Sequence, residues 1–189
     1  EYVQDTVESA LNQTYPLQEI VCVDDGSTDG TLEVLRHLEA QHPDEVQVLT
    51  GPNQGACAAR NRGMSVATGE YIQFLDADDV LLPEKVERDV SVLKEEREAL
   101  LFGGFESYKG GTQIYKSDTF VSANPWVCLA KQNFGQTSSN LFRADAVERV
   151  GGWDEQRPYN QDYDLIARML MDGADVAFAQ HRYTRARNR

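Results

Sequence analysis

The stretch Tyr71-Ile72-Gln73-Phe74-Leu75-Asp76-Ala77-Asp78-Asp79 constrains this chain most, because an apolar, β-prone run stops abruptly at closely packed carboxylates. Such a run reads as a buried strand with the acids at its carboxyl end. In open α/β sheets, ligands sit beyond that end of the strands. Anions this close repel one another unless a cation or a proton relieves them. The stretch therefore predicts a divalent-metal site at the lip of a sheet.

The residues around it read as alternating strands and helices. Val3, Val7, Ala10 and Leu11 share one face of a helix over Val3 to Gln13, ended by Tyr15-Pro16. The run Ile20-Val21-Cys22-Val23 is a strand that stops, like the first, at acids: Asp24-Asp25-Gly26. Turn and capping residues 27–31 precede a helical stripe of Leu32, Leu35 and Leu38. A strand over Val46 to Leu49 leads through a Gly/Pro turn to an Ala-rich helix, Ala56 to Ala67. Pro83 fits the first position of an amphipathic helix over Glu84 to Glu98, with Val86, Val90 and Leu93 inward. This order predicts an α/β fold with a mostly parallel sheet covered on both faces.

The second half is less regular. A strand is expected at Leu100 to Phe102, a hairpin around Gly110-Gly111, a short helix over Pro125 to Asn133 and a strand over Ser139 to Phe142. A helix over Arg143 to Val150 stops at Gly151-Gly152. Another runs from about Asp162 to Met171, before a last strand over Ala174 to Ala179. Arg182, Arg185, Arg187 and Arg189 beyond it fit a solvated basic tail, although His181-Arg182 can also approach a bound diphosphate. No repeat or linker divides the sequence, so a single domain over 1–189 is expected, with 1–99 as its regular half and 100–189 as its less regular one.

Composition narrows the function. A net charge of −13 argues against general nucleic-acid binding, which relies on a basic face. A phosphorylated small molecule is still compatible when a metal inverts the local charge. Cys22, Cys57 and Cys128 lack zinc-ligand spacing and are expected to pack as small apolar residues in a reducing compartment. No run approaches the ~18 apolar residues of a membrane span. A cytoplasmic protein, at most peripheral to a membrane, is the expectation.

Two acidic strand ends, plus Asp162-Tyr163-Asp164, carry the chemistry. Any one such turn is explained by Asp capping the next helix. Together they point to Mn²⁺ or Mg²⁺, whose shell is usually completed by water and substrate phosphate. A nucleoside diphosphate is the matching ligand.

In order along the chain, the blocks Leu11-Asn12-Gln13-Thr14-Tyr15-Pro16, Val23-Asp24-Asp25-Gly26-Ser27, Ala59-Arg60-Asn61-Arg62-Gly63, Phe74-Leu75-Asp76-Ala77-Asp78-Asp79, Gly151-Gly152-Trp153-Asp154-Glu155 and Asp162-Tyr163-Asp164-Leu165 resemble the signature of family 2 glycosyltransferases of the GT-A fold. The resemblance implies an inverting, metal-dependent transfer from a nucleoside-diphosphate sugar donor, usually of uridine or thymidine, in cell-wall or polysaccharide biosynthesis. The acceptor is a saccharide, lipid-linked or other hydroxyl. By position, the resemblance implies that Asp25, with Asp24 beside it, accepts the N3–H of the base. Asp76 and Asp78 match the family's D-x-D: Asp78 as direct metal ligand, Asp76 at the ribose or a metal-bound water. Arg60 falls where the family places a cation near the nucleotide, although a surface ion pair explains it equally well. Asp162 matches the general base, and also fits a helix N-cap. The family often has Glu just before it, where this chain has Gln161. Trp153, on the acceptor side, can stack on a sugar, although core packing is the commoner use of such a ring. Asp79 is expected to cap a turn or helix rather than bind metal.

The family also implies a central strand before the first helix. Here Glu1 already lies in or beside that helix. A sheet lacking that strand is expected to have an unfilled central slot. Two alternatives share parts of the pattern: a catalytically silent nucleotide-sugar-binding module, and a sugar-phosphate nucleotidyltransferase. The second calls for a Gly-rich basic loop near the start, which the sequence lacks.

Overall fold

The computed structural model describes residues 2–96, 99–109, 112–117, 122 and 124–187. The first helix, α1 (Tyr2–Leu11), buries Val7 against the strands β1 (Ile20–Asp24) and β2 (Val46–Thr50) and the helix α2 (Thr31–Gln41). β1 and β2 pair in parallel from Ile20↔Val46 to Asp24↔Thr50. α2 directs Leu35 and Leu38 into the same cluster, as the stripe predicted. α3 (Ala56–Met64) follows β2.

The remaining strands form a mixed sheet, in the order β3 (Tyr71–Ile72), β7 (Leu141–Arg143), β5 (Leu100–Lys109), β8 (Val176–Arg187), β4 (Val80–Leu81), with β6 (Thr112–Ser117) paired to β5. β5 and β8 run parallel, while the other neighbours in this sheet are antiparallel. The fold is α/β, as expected. The turn expected at Gly110-Gly111 lies outside the described residues, but the β5–β6 pairing on either side of it is antiparallel.

Two features place the site. First, the strand beginning at Tyr71 has ladder pairing only over Tyr71–Ile72; Gln73 to Asp76 continue without it. Between this segment and β1 lies a cavity of about 640 Å³, lined from one side by Val21 and Val23 and from the other by Ile72 and Phe74. This cavity separates the two sheets. Second, β8 reaches Arg187 instead of stopping at Ala179. Within it Thr184 and Ala186 are buried while Arg185 is exposed, so the alternation is real but carried by small and polar side chains. The solvated tail expected for residues 181–187 is instead a strand.

Helix boundaries shift in places. α4 (Lys85–Glu96) starts after a turn at Pro83-Glu84, so Pro83 precedes the helix instead of opening it. Its stripe of Val86, Val90 and Leu93 is buried as expected. The strand expected over Ser139 to Phe142 starts only at Leu141, and Ser139 instead closes a buried 3-10 turn, Thr137–Ser139. α5 (Pro125–Ala130), α6 (Ala144–Arg149) and α7 (Gln161–Met171) complete the chain. Cys57, Cys128, Phe102, Phe142, Leu165, Ile166 and Met169 are among the residues that pack one large core beneath the acidic loop.

Candidate functional site

The acidic loop after Leu75 is held from several directions. Thr6 on α1 places its hydroxyl 3.0 Å from the Ala77 carbonyl oxygen and 2.9 Å from that of Asp79. The backbone N–H of Asp76 donates to Ser138 Oγ at 3.0 Å. Asp79 is 5 % exposed and accepts the Arg187 backbone N–H at 3.1 Å. Burial pushes its carboxyl up to about 6, against the Ser138 and Arg187 hydrogen bonds and with the help of the Asp76 and Asp78 charges. The repulsion expected among these acids is therefore present. Asp79 is built into the turn and caps no helix.

Asp76 faces outward. Its side chain is 46 % exposed, and Oδ1 accepts from Arg60 Nη2 at 2.8 Å. Arg60 comes from α3, and its other terminal nitrogen donates to Gln161 Oε1 at 3.1 Å. Its guanidinium also lies 4.5 Å from the ring centroid of Trp153. A cation stacked on one aromatic face and bonded to two elements is fixed in place, unlike the surface ion pair weighed above.

Trp153 is only 2 % exposed and meets Phe74 edge-on at 5.1 Å. It has no face open to an acceptor, which corrects the stacking role expected for it. Its ring instead underlies Arg60. Asn61, next along α3, pins the loop: its side-chain amide donates to the Trp153 carbonyl oxygen and accepts the Trp153 N–H, each at 2.8 Å. Gly152 has φ +71° and would place a Cβ 2.7 Å from that Asn61 amide oxygen, so the loop needs glycine there.

Asp162 lies in the first turn of α7, as its second residue; the N-cap position is held by Asn160, which makes no side-chain capping hydrogen bond. Thr137 Oγ1 donates a short hydrogen bond to Asp162 Oδ1. Burial pushes the Asp162 carboxyl above the usual carboxylate range. The Thr137 hydrogen bond and the Arg60 charge pull it down, and Asp76 adds a push upward. Asp162, Arg60 and Asp76 thus form one electrostatic group. Thr137 and Ser138, adjacent in the 3-10 turn, grip its two acidic sides, Thr137 at Asp162 and Ser138 at the acidic loop. The sequence reading missed both. The only trace was an unusually polar run, Gln136 to Asn140, ahead of an apolar strand.

The end of β1 is a second wall. Asp24 is buried; burial alone would raise its carboxyl, yet hydrogen bonds from Ser27, Thr50 and Gly26 outweigh it and hold it below the ordinary range. It secures the turn. Asp25 accepts the backbone N–H groups of Gln54 at 2.8 Å and Gly55 at 2.7 Å, just ahead of α3. A carboxylate there suits the positive end of the helix, and its remaining lone pairs can still accept a ligand N–H. α3 therefore connects Asp25 at its start to Arg60 on its second turn.

The donor set fits a hard divalent cation. Asp76 and Asp78 offer partly exposed carboxylate oxygens at the loop, while Asp79 is engaged with the backbone. Among the described residues no group of three or more acidic, His or Cys side chains gathers into a cage. Mg²⁺ and Mn²⁺ sites of one or two carboxylates completed by phosphate have this form.

Comparison with known proteins agrees with the arrangement. The model of Glycosyl transferase family 2 matches residues 1–151, and the chain belongs to that family. The Haloferax volcanii glycosyltransferase AglE is 30 % identical over 183 residues, which are 95 % of this chain and 60 % of that protein. The putative teichuronic acid biosynthesis glycosyltransferase TuaG of Bacillus subtilis is 38 % identical over 124 residues, 65 % of this chain and 48 % of its own. The chain thus spans less than two thirds of the length of these relatives. Among solved structures, S. aureus TarS 1-349 in complex with UDP-GlcNAc superposes with a TM-score of 0.80 at 20 % identity, covering 100 % of this chain and 55 % of that one. The mannosyltransferase PcManGT from Pyrobaculum calidifontis, in complex with GDP-Man and Mn²⁺, gives 0.73 at 20 % identity over 99 % of this chain and 52 % of its own. No helix among the described residues is long and apolar enough to cross a membrane.

Proposed function

We propose that the protein is an inverting glycosyltransferase that moves a sugar from a nucleoside-diphosphate donor, of uridine by preference, to an acceptor hydroxyl. The observation that carries this reading is the grouping of Asp162, Arg60 and Asp76: a half-buried carboxylate with a raised proton affinity stands across a fixed cation from a more exposed carboxylate. Family membership and the UDP-GlcNAc and GDP-Man complexes of structural neighbours support it.

In this reading Asp25 accepts an N–H of the base, with Asp24 holding its turn. Asp78 and Asp76 hold Mn²⁺ or Mg²⁺, which when bound neutralises the leaving diphosphate. Asp162 accepts the proton of the acceptor hydroxyl as that oxygen bonds to the anomeric carbon. The bond from that carbon to the diphosphate oxygen breaks on the opposite face, and the nucleoside diphosphate leaves. Arg60, anchored on Trp153, supplies a fixed positive charge beside the departing group.

UDP with Mn²⁺ is expected to raise the melting temperature. Asp78→Ala should abolish that shift, whereas Asp162→Asn should keep it and lose transfer. Absence of any nucleotide-dependent shift in the unsubstituted protein overturns the reading. Transfer that survives Asp162→Asn overturns the assignment of the base.

A further inference from the structure

Beside Asp162 lies a cavity of about 200 Å³, lined among others by Gln132, Phe134, Gln136, Asn160 and Tyr163. Its backbone is unusual. Gln132 at φ 53° and Asn160 at φ 54° are the two non-glycine residues with positive φ among those described, and both line it. Such conformations are sparsely populated by residues with a side chain and cluster at ligand sites.

Local structure does not call for these side chains. Gln132 follows the C-terminus of α5, where the left-handed position is usually glycine. Asn160 occupies the N-cap of α7 but makes no capping hydrogen bond, whereas N-cap residues ordinarily have extended backbone and do cap. Both residues are exposed, and neither side-chain amide has a hydrogen-bond partner among the described residues. Tyr163, 39 % exposed, forms a ring wall braced edge-on by Phe134 at 6.3 Å.

Amides that donate and accept, an aromatic wall and a carboxylate are the groups that read a polyol with apolar C–H faces. At about 30 Å³ per water, the cavity holds about six or seven waters, the room of one sugar ring. None of its described lining residues is cationic, and Asp162 is the charged one. A sugar bearing a carboxylate or phosphate would meet a like charge there.

We propose that this cavity is the acceptor subsite, that it holds one uncharged sugar residue, and that Gln132, Asn160 and Tyr163 select it. The proposal rests on the glycosyltransferase reading and adds the class of acceptor and the residues that read it.

Saturation-transfer NMR on the protein with UDP and Mn²⁺ tests it, using neutral methyl glycosides (gluco, galacto and N-acetylgluco) as probes against methyl glucuronide. UDP binding is measured in the same samples. At least one neutral glycoside should bind, and the glucuronide should bind more weakly. Gln132→Gly and Asn160→Gly should each weaken the neutral probe by about fivefold, the factor one lost hydrogen bond represents. Because glycine relieves the positive φ, both variants should melt at or above the parent temperature, so lost binding cannot be put down to unfolding. The proposal is overturned if UDP binds and no neutral glycoside does, if the glucuronide binds as well as they do, or if both glycine variants keep full sugar binding. Failure of UDP itself to bind overturns the underlying reading instead, and the subsite with it.

Discussion

Thr137 and Asp162 stand 25 residues apart in sequence, and one hydrogen bond joins them. That bond favours the ionised carboxylate and opposes the rise that burial causes. As the proposed general base, Asp162 works only when deprotonated, so activity should fall as pH drops through its folded-state value, which lies above the ordinary carboxylate range. Thr137→Val removes the hydroxyl at nearly constant shape. It should move the acidic limb of the kcat/KM profile to higher pH while leaving UDP binding in place, as pH-rate measurements would show. An unmoved limb would mean that Thr137 serves packing alone. The grouping of Asp76, Asp78 and Asp79 in one loop could be read from the sequence, because charge density at a strand end is visible in one dimension. Thr137 and Ser138 could not, since a hydroxyl's partner is fixed only when distant segments meet. Trp153 was ambiguous for a related reason: an aromatic ring beside a glycine pair serves core and ligand alike, and only the packing of Phe74 and Arg60 around it decides.

At the scale of elements, the helices with apolar stripes were legible and the strands with polar inward positions were not. Thr184 and Ala186 alternate inward along β8, yet residues 181–187 look like a basic tail because the stripe carries little hydrophobicity. The 3-10 turn depends on a close approach that composition also hides. A Cβ on Gly103 of β5 would sit 1.8 Å from the Ser139 carbonyl oxygen. Gly103→Ala should therefore push the turn off β5, costing about 1–3 kcal/mol as overpacking does, and should lower kcat because Thr137 and Ser138 move with it. Urea denaturation and steady-state rates would register the two effects. Similarly concealed is Lys85, 2 % exposed, whose ammonium meets Asp89 at 2.7 Å and Gln73, while Asp89 also meets His181 at 2.8 Å. Lysine is ordinarily a surface residue, and burial lowers the proton affinity of this one against the pull of Asp89. Lys85→Met would leave Asp89 buried without its main counter-charge, for a loss of about 3–5 kcal/mol. Lys85→Met combined with Asp89→Leu should lose less, and a denaturation cycle over the variants measures the difference.

At the scale of the whole molecule, the described residues form two sheets and three hydrophobic clusters around one candidate site. Asp25 belongs to one sheet's end and the Asp76 loop to the other, with α3 running between them. The relative position of the two acids consequently depends on how well the molecule fills the 640 Å³ cavity between β1 and the segment after Tyr71. Among the described residues β1 pairs with β2 alone, so its other edge presents unused backbone donors and acceptors to that cavity. An open edge beside an apolar hollow is a template that any extended chain can copy. Two molecules that each offer such a template repel one another through the net charge of −13. Self-association should consequently rise as salt screens that charge, and sedimentation across a salt series would follow it. A short apolar β-strand peptide that occupies the hollow should suppress it. The exposure of that strand edge and the spacing of the candidate-site acids thus meet at the same seam between the two sheets.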